Sequence, residues 1–324
     1  TIQSLSREVN IIARLNHPTI VKFIGYSPVN FKNKPKPVIV TEFLSNGSLG
    51  DILNLERKGL CKTEWTDTKK IINIYGIAAA MSYLHSHNII HRDLKPDNIL
   101  MDDFLCPKIT DFGLSKIKHT NDESMTLQSV ANLKGTPLYI APEIWASFEY
   151  SQAGDVYAYG FIVFEIMTCE EPFKNSDVIS LMTNIIDGVR PEIINVPDAY
   201  KELIEKCWDQ NPSNRPTFDQ IIEQLKNNTD FITDLIESED YNDYIEYIEK
   251  CKVSFNNDSY IQIDQFVKRE TKTFKKITID KQLLDQLKEE EDDDDDDTST
   301  DTQSENMPDV ALNKKKLPFE LPPE

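Results

Sequence analysis

The chain has 324 residues and a formal net charge of −20 at pH 7, and residues 228–324 hold 27 of its 55 Asp and Glu residues but 12 of its 35 Lys and Arg residues. Because no basic face stands out from this composition, we expect no binding to nucleic acid or to an anionic membrane. The five cysteines are odd in number and lack CxxC spacing, which disfavours both a zinc site and a disulfide framework.

The first part of the chain predicts a helix followed by two strands. Apolar residues at helical spacing in LSREVNIIARLNHP predict an opening helix that ends at Asn-His-Pro. The runs IVKFIGYSPV and KPVIVTEFL predict two strands. The sequence between them, NFKNKPKP, has the prolines and lysines of an exposed loop.

Most of the remaining chain up to residue 227 predicts helices. TDTKKIINIYGIAAAMSYLHSHN predicts one long helix with Thr66 as its N-cap. The longest apolar run, residues 158–167, is too short to span a bilayer, and the first ten residues hold no apolar leader-like segment. We therefore expect a soluble, cytoplasmic protein of the α+β class, with a small β-containing part before a larger helical part.

The composition changes near residue 228. Residues 228–288 combine an acidic stretch of helical periodicity with the basic stretch KRETKTFKKITID, which predicts a partly helical tail. Residues 289–297 are nine consecutive acids, and residues 289–324 as a whole predict a disordered C-terminus. The expected division is therefore 1–227 for the main domain, 228–288 for the tail and 289–324 for the acidic terminus.

The stretch NIIHRDLKPDNILMDDFLCPKITDFG, residues 88–113, carries four side chains suited to phosphoryl transfer. ILM and CPKIT predict a hairpin around DDF, which should bring Asn98 and Asp111 together at its open end. Two oxygen ligands at that place suit Mg²⁺. Asp93 lies in the same loop as Asn98, within reach of an attacking hydroxyl, and Lys95 can offer its ammonium group to the transferred phosphoryl group. Single Asp and Asn residues in loops are usually turn formers, so the inference depends on the joint pattern.

That joint pattern, HRDxxxxN followed by DFG, resembles the signature of the eukaryotic protein kinases. The resemblance covers roughly residues 8–225. It implies an α+β, bilobal protein kinase-like fold with a complete helical C-lobe and a truncated β-rich N-lobe. It also implies ATP and Mg²⁺ as cofactors and proteins as substrates.

The resemblance implies catalytic roles in the central stretch and one position beyond it. Asp93 would be the catalytic base and Lys95 would contact the γ-phosphate, while Asn98 and Asp111 would be the metal ligands. Lys95 and the GTP sequence with Thr136 follow the serine/threonine pattern. TEFLSNGSL, CWDQNPSNRPTF and GTPLYIAPE together look most like the tyrosine-kinase-like group, whose members often phosphorylate Ser and Thr.

The resemblance also implies where the adenine would bind. VIVTEFLSNGSL matches the hinge segment of the family. The backbone of Glu42 and Leu44 would meet the adenine, and Leu100 would pack beneath the ring.

Supporting contacts are implied by the same resemblance. Asp155 would anchor the catalytic loop, and Glu143 would pair with Arg215. Glu8 matches a helix glutamate that pairs with a strand lysine in the family, but the seven residues before it contain no Lys and no two glycines have GxG spacing. We therefore expect that the Gly-rich loop and the first three strands of the small lobe are not in this chain.

The predicted function is transfer of the ATP γ-phosphate to Ser or Thr of protein substrates in intracellular signalling. The truncated small lobe leads us to expect a fragment of a longer kinase with impaired activity. Two alternatives stay open: a natural pseudokinase that acts as a binding or scaffold module, and a non-enzymatic interaction protein built around the acidic tail. Neither the substrate protein nor the oligomeric state follows from the sequence.

Overall fold

The structure is a computed structural model of the chain and describes residue 9 and residues 11–27, 29–30, 32, 34, 38–61, 63–117, 137–147, 150–174 and 176–257. The chain divides into one unit spanning Thr1–Ser259 and a second spanning Tyr260–Glu324, and every described residue belongs to the first. The predicted acidic terminus and the basic part of the predicted tail lie outside the described residues.

A small antiparallel sheet forms the first part of the described chain. Strand β1 (Phe23–Ser27) pairs with strand β2 (Val38–Thr41), with a register irregularity near the start of β1. Both predicted strands are confirmed. Residues 9, 11 and 12 are helical, as expected for the opening helix, and Ile11 and Ile12 are buried.

Two further strand pairs frame the central stretch. Strand β3 (Ile89–Ile90) pairs with β6 (Lys116–Ile117), and strand β4 (Ile99–Met101) pairs with β5 (Pro107–Ile109), both antiparallel. The β4–β5 pair is the predicted hairpin, which is confirmed. A parallel bridge from Ile20 joins β5 to the chain just before β1.

Helices make up most of the described chain after β2. They are α1 (Leu49–Arg57), α2 (Asp67–Ser86), α3 (Pro142–Ser147), α4 (Gln152–Thr168), α5 (Val178–Ile186), α6 (Asp198–Cys207), α7 (Phe218–Asn227) and α8 (Ser238–Asn257). The predicted α+β arrangement, a small β part followed by a larger helical part, is confirmed.

The centre of the helical part is built on α2 and α4, which are apolar on most faces and buried along most of their length. Such helices belong in the interior of a domain. Their direct contact includes a hydrogen bond from the Tyr159 hydroxyl to the Ile74 carbonyl at 3.0 Å. Thr66 accepts a hydrogen bond from the Lys69 amide and caps α2 as predicted. In the part of the chain that the structure describes, no helix combines the length and the apolar character needed to cross a membrane.

The first part of the predicted tail packs against the helical part. Helix α8 confirms the helical pattern expected there, and its Tyr241 and Ile248 side chains are buried. The Glu237 amide, just before α8, donates a 2.9 Å hydrogen bond to the Thr68 hydroxyl of α2. The domain division at residue 227 stays a prediction.

Candidate active site

The β4–β5 hairpin brings its two flanking residues together. The Thr110 amide donates a 3.0 Å hydrogen bond to the Asn98 carbonyl, one step beyond the pair formed by Ile99 and Ile109. Asp111 follows Thr110 directly, so the hairpin carries Asn98 and Asp111 at its open end as predicted. Asp111 has a φ of +61°, in the left-handed region that Asp tolerates better than most residues. Its Oδ1 accepts a hydrogen bond from the Gly113 amide at 3.2 Å, and its side chain is exposed.

The side chains of Asn98 and Lys95 both contact Asp93. The side-chain amide of Asn98 donates to the Asp93 carbonyl at 2.7 Å and to the Asp93 Oδ2 at 3.0 Å. The Lys95 Nζ lies 3.2 Å from the same Oδ2. Because Asn98 uses its Nδ2 for both bonds, its Oδ1 is not consumed by them and keeps its lone pairs for a cation.

A buried carboxylate, that of Asp155, anchors the loop that carries Asp93. Asp155 on α4 accepts hydrogen bonds from the backbone amides of His91 and Arg92, both at 2.9 Å. Arg92 has a φ of +71°, a conformation that costs a non-glycine residue free energy and persists only when its surroundings hold it. The predicted anchoring contact of Asp155 is therefore present.

Asp155 has a further partner that the sequence did not indicate. The His85 Nε2 lies 2.8 Å from the Asp155 Oδ2. Burial by itself would raise the pKa of Asp155, but the hydrogen bonds from the His85 ring and the Arg92 amide outweigh burial and hold that pKa below its ordinary value. The carboxylate under the loop therefore stays ionised.

His91 links the loop to the hairpin. Its Nε2 lies 3.0 Å from the Thr110 carbonyl, which can only accept, so the ring donates there. The Nδ1 atom then accepts from the Asp93 amide at 3.4 Å, which is the neutral tautomer. The ring also contacts Phe112 in a tilted arrangement, with centroids 5.5 Å apart. His91 is fully buried and is bonded to both Asp93 and Thr110, so it fixes the distance between Asp93 and the segment that leads to Asp111.

The residues expected to meet the adenine lie along the same hairpin. The Glu42 amide donates to the Lys22 carbonyl, and its carboxylate accepts from the Lys108 ammonium on β5 at 2.8 Å. Leu100 pairs across the hairpin with Lys108 and forms a bridge with Ser48. The segment after β2, which holds the half-buried Leu44, therefore runs beside β4. Adenine binding by Glu42, Leu44 and Leu100 stays a prediction.

A second network, which is centred on the buried Glu165 and was not indicated by the sequence, holds the segment just before α3. The Tyr139 hydroxyl donates to the Glu165 Oε1 at 2.5 Å, and the Arg57 Nη2 donates to the Glu165 Oε2 at 2.7 Å. Burial raises the pKa of Glu165 above its ordinary value in spite of these two donors. The network ties the residues that follow Thr136 to α1 and α4. Thr136 itself, like Glu8, lies outside the described residues.

The predicted pair of Glu143 and Arg215 is present. Arg215 donates from Nη1 and Nη2 to the two carboxylate oxygens of Glu143 at 2.7 and 2.8 Å. The fully buried guanidinium also donates to the carbonyls of Asp209 and Ala153. A bidentate pair of this kind fixes orientation as well as distance, so α3 is held to the loop before α7.

The ligand set at the open end of the hairpin fits a nucleotide-bound magnesium ion. Among the described residues, no three or more His, Cys, Asp or Glu side chains are grouped so that they could hold a metal ion by themselves. Asn98 and Asp111 instead each offer a hard side-chain oxygen. Mg²⁺ in enzymes commonly takes its other ligands from phosphates and water. Together with Asp93 and Lys95, the arrangement suits transfer of a phosphoryl group to a hydroxyl.

Comparison with known proteins agrees with this chemistry. The family model for protein tyrosine and serine/threonine kinases matches residues 1–225. The chain is 36% identical over 218 residues to a putative serine/threonine-protein kinase/receptor, R818, of Acanthamoeba polyphaga mimivirus. The aligned part covers 66% of this chain and 12% of that protein. It is 34% identical over 227 residues to the serine/threonine-protein kinase STY17 of Arabidopsis thaliana, covering 69% of this chain and 37% of that protein.

A third relative is named for a wider specificity. The dual specificity protein kinase shkC of Dictyostelium discoideum is 33% identical over 237 residues, covering 69% of this chain and 43% of that protein. The chain thus spans less than half the length of each of these three relatives.

Proposed function

The chain belongs to the protein tyrosine and serine/threonine kinase family, and on that premise we propose that it transfers the γ-phosphoryl group of ATP to seryl or threonyl hydroxyls of protein substrates. The observation that carries the proposal is the convergence of Asn98 and Lys95 on one oxygen of Asp93, at 3.0 and 3.2 Å.

In the proposed reaction, Asp93 orients the substrate hydroxyl and accepts its proton. The hydroxyl oxygen bonds to the γ-phosphorus of ATP, the bond from that phosphorus to the bridging oxygen breaks, and ADP leaves. Lys95 places its ammonium group beside the position where negative charge develops on the transferred group, which is the kind of fixed electrostatic support that lowers a barrier. Asn98 and Asp111 would hold Mg²⁺, which when bound screens the phosphate charges. The backbone of Glu42 and Leu44, with the side chain of Leu100, would hold the adenine.

The preference for Ser and Thr is supported by Lys95 and by the names of the two relatives called serine/threonine kinases. The dual specificity name of shkC makes a tyrosine acceptor the competing outcome. Identification of the phosphorylated amino acid in the product separates the two.

The test compares the chain with its Asp93→Asn variant. Both are incubated with magnesium and γ-labelled ATP and a Ser/Thr-rich basic protein, and the label is assigned to phosphoserine, phosphothreonine or phosphotyrosine. Loss of a general base typically costs about 10²–10⁴-fold in rate, so the variant should lose transfer by that factor. Asp187→Asn, at an exposed position after α5, is the matched control and should transfer at the parent rate.

Two results would count against the proposal. Equal transfer by the parent and Asp93→Asn would show that Asp93 has no catalytic role. Saturable binding of Mg-ATP with no transfer under single-turnover conditions would favour the pseudokinase alternative, a binding or scaffold module.

A further inference from the structure

The family match ends at residue 225, yet the chain that follows continues into the same packed unit. The Tyr200 hydroxyl of α6 donates to the Phe231 carbonyl at 2.8 Å, and the Tyr241 hydroxyl of α8 donates to the Leu225 carbonyl at 3.1 Å. Phe231 and Tyr241 are both buried. Residues 228–257, which we call the brace, are thus bonded to the domain both before α8 and within it.

Aromatic rings form the main contact between the brace and α2. Tyr75, in the middle of α2, meets Tyr241 and Tyr244 edge to face, with ring centroids 6.0 and 6.3 Å away. The Tyr75 hydroxyl donates to the Glu249 carboxylate at 3.3 Å. Edge-to-face pairs are favourable beyond the area that they bury. Ile248, four residues after Tyr244 and therefore on the same face of α8, is fully buried.

Gly76 shows how closely the brace approaches. A Cβ atom at this position would lie 2.5 Å from the Tyr244 hydroxyl and 2.6 Å from the Cγ of Pro107. Glycine is unfavourable inside a helix, so its presence in α2 is explained by the room that these two neighbours need. Tyr244 and Pro107 therefore meet over the same position of α2.

Pro107 connects this contact to the candidate active site. It is the first residue of β5, the strand that leads through Thr110 to Asp111. The buried Asn73 of α2, one turn from Gly76, donates to the Leu105 carbonyl in the hairpin turn at 2.8 Å. The hairpin is therefore held on the side where α2 and the brace meet.

We propose that the brace is part of the catalytic lobe and that Tyr244 is a positioning residue, which holds the β4–β5 hairpin through Pro107 and α2 and thereby sets Asn98 and Asp111. Tyr244 touches neither residue, so its effect is indirect. The catalytic consequence rests on the proposed kinase function, whereas the mechanical coupling between brace and hairpin does not.

The test measures amide hydrogen exchange in the whole chain, for the parent and for Tyr244→Ala. The readout compares the hairpin amides of Leu105, Ile109 and Thr110, all of which donate backbone hydrogen bonds, with the amides in the centre of α4. The variant should raise hairpin exchange about tenfold or more and leave α4 within about twofold, because local opening and global unfolding are separate events. Asn242→Ala shortens an exposed side chain of the same helix, and should change neither.

Two more variants keep the proposal open to refutation if Tyr244→Ala folds poorly. Tyr244→Phe keeps the ring and should restore the protection of the hairpin. Gly76→Ala should raise hairpin exchange and lower the Tm, although alanine is the better helix former. An unchanged or raised Tm for Gly76→Ala would contradict the close contact.

If Tyr244→Ala speeds up hydrogen exchange equally in the hairpin and in α4, the brace only stabilises the domain as a whole, and the proposal is overturned.

The outcome is also separable from the proposed function. If the exchange pattern is found but the parent transfers no phosphate, the coupling stands and the kinase proposal fails. If the parent transfers phosphate but the hairpin is insensitive to Tyr244, the brace proposal fails alone. If both hold, Tyr244→Ala should raise the magnesium concentration needed for half-maximal transfer.

Discussion

The loop that carries Asp93 and the C-terminal helix α8 are held to the same domain by different forces. The loop is held by hydrogen bonds to one buried carboxylate, Asp155. Helix α8 is held mainly by rings and aliphatic groups, among them Tyr75 and Ile248, together with the hydrogen bonds that the Tyr75 and Tyr241 hydroxyls donate. Polar anchoring fixes the direction of a few atoms, whereas apolar packing is spread over a surface and is tolerant of direction. The difference matches what each region must do, since the loop has to aim side chains and the helix has to hold a hairpin in place.

The largest effect should come from removing the polar anchor. Asp155→Ala leaves the His91 and Arg92 amides and the His85 ring without their acceptor, and breaking such a buried pair costs about 3–5 kcal/mol. The free energy of unfolding, measured with urea, should fall by that amount, and phosphoryl transfer should be lost with it because the strained Arg92 backbone is released. Asp187→Ala, on the surface, is the control and should be neutral. A loss under about 1 kcal/mol would mean that the loop does not depend on Asp155.

The next effect tests the apolar anchor. Ile248→Ala removes a fully buried side chain from the face of α8 that carries Tyr241 and Tyr244, and substitutions of this type cost about 2–5 kcal/mol. In contrast to Asp155→Ala, it should leave Asp93 in place. The folded Ile248→Ala protein should therefore lose less of its phosphoryl transfer than the Asp155→Ala protein does. Glu246→Ala changes an exposed neighbour on the same helix and should be close to neutral in urea titration. Complete loss of transfer in a folded Ile248→Ala protein would show that the two anchors are not separable.

The smallest effect is a difference in pH dependence between the two anchors. The folded-state pKa of Asp155 lies below its ordinary value, so its stabilisation is present in full above the ordinary carboxyl pKa of about 4 and is lost as the pH falls through the lower folded value. One such group contributes a slope of at most about 1.4 kcal/mol per pH unit. The loss of stability caused by Ile248→Ala should not change with pH.

Urea titrations from pH 6 down to pH 3 measure this difference. Asp155→Asn should flatten the acid limb of the stability curve relative to the parent, while Ile248→Ala should shift the whole curve down in parallel. Parallel curves for the parent and Asp155→Asn would contradict the role given to the ionised carboxylate.

Much of the candidate site could be predicted because its parts are close in the chain. Asp93, Lys95 and Asn98 share one loop, and the hairpin that brings Asp111 back to Asn98 is a local structure whose strands and turn are visible in the pattern. The implied anchor at Asp155 and the pair of Glu143 with Arg215 are long-range contacts, and they were predicted only through the family resemblance. Thr136 and Glu8 lie outside the described residues, so their roles stay predictions.

The contacts that were not predicted are long-range and have no local signature. His85 and Asp155 are 70 residues apart, Arg57 and Glu165 are 108 apart, and Tyr75 and Glu249 are 174 apart. Each of these residues is ordinary in its own window, where a histidine near a helix end or a glutamate inside an apolar helix has many explanations. A buried glutamate, Glu165, in the last turn of the apolar α4 was the one available hint, because a buried carboxylate needs partners.

The sequence by itself determined which polar and charged side chains share one loop and hairpin, and so which groups we propose for magnesium, for the substrate hydroxyl and for the transferred phosphoryl group. It did so because residue type and short spacing decide hydrogen-bonding capacity and local turns. Only the tertiary structure decided what holds that chemistry in place, namely the His85 partner of Asp155, the tie of Tyr139 to Glu165, and the packing of α8 on α2. Such contacts depend on how helices far apart in the chain approach each other, and packing of whole surfaces rather than any local pattern sets that approach.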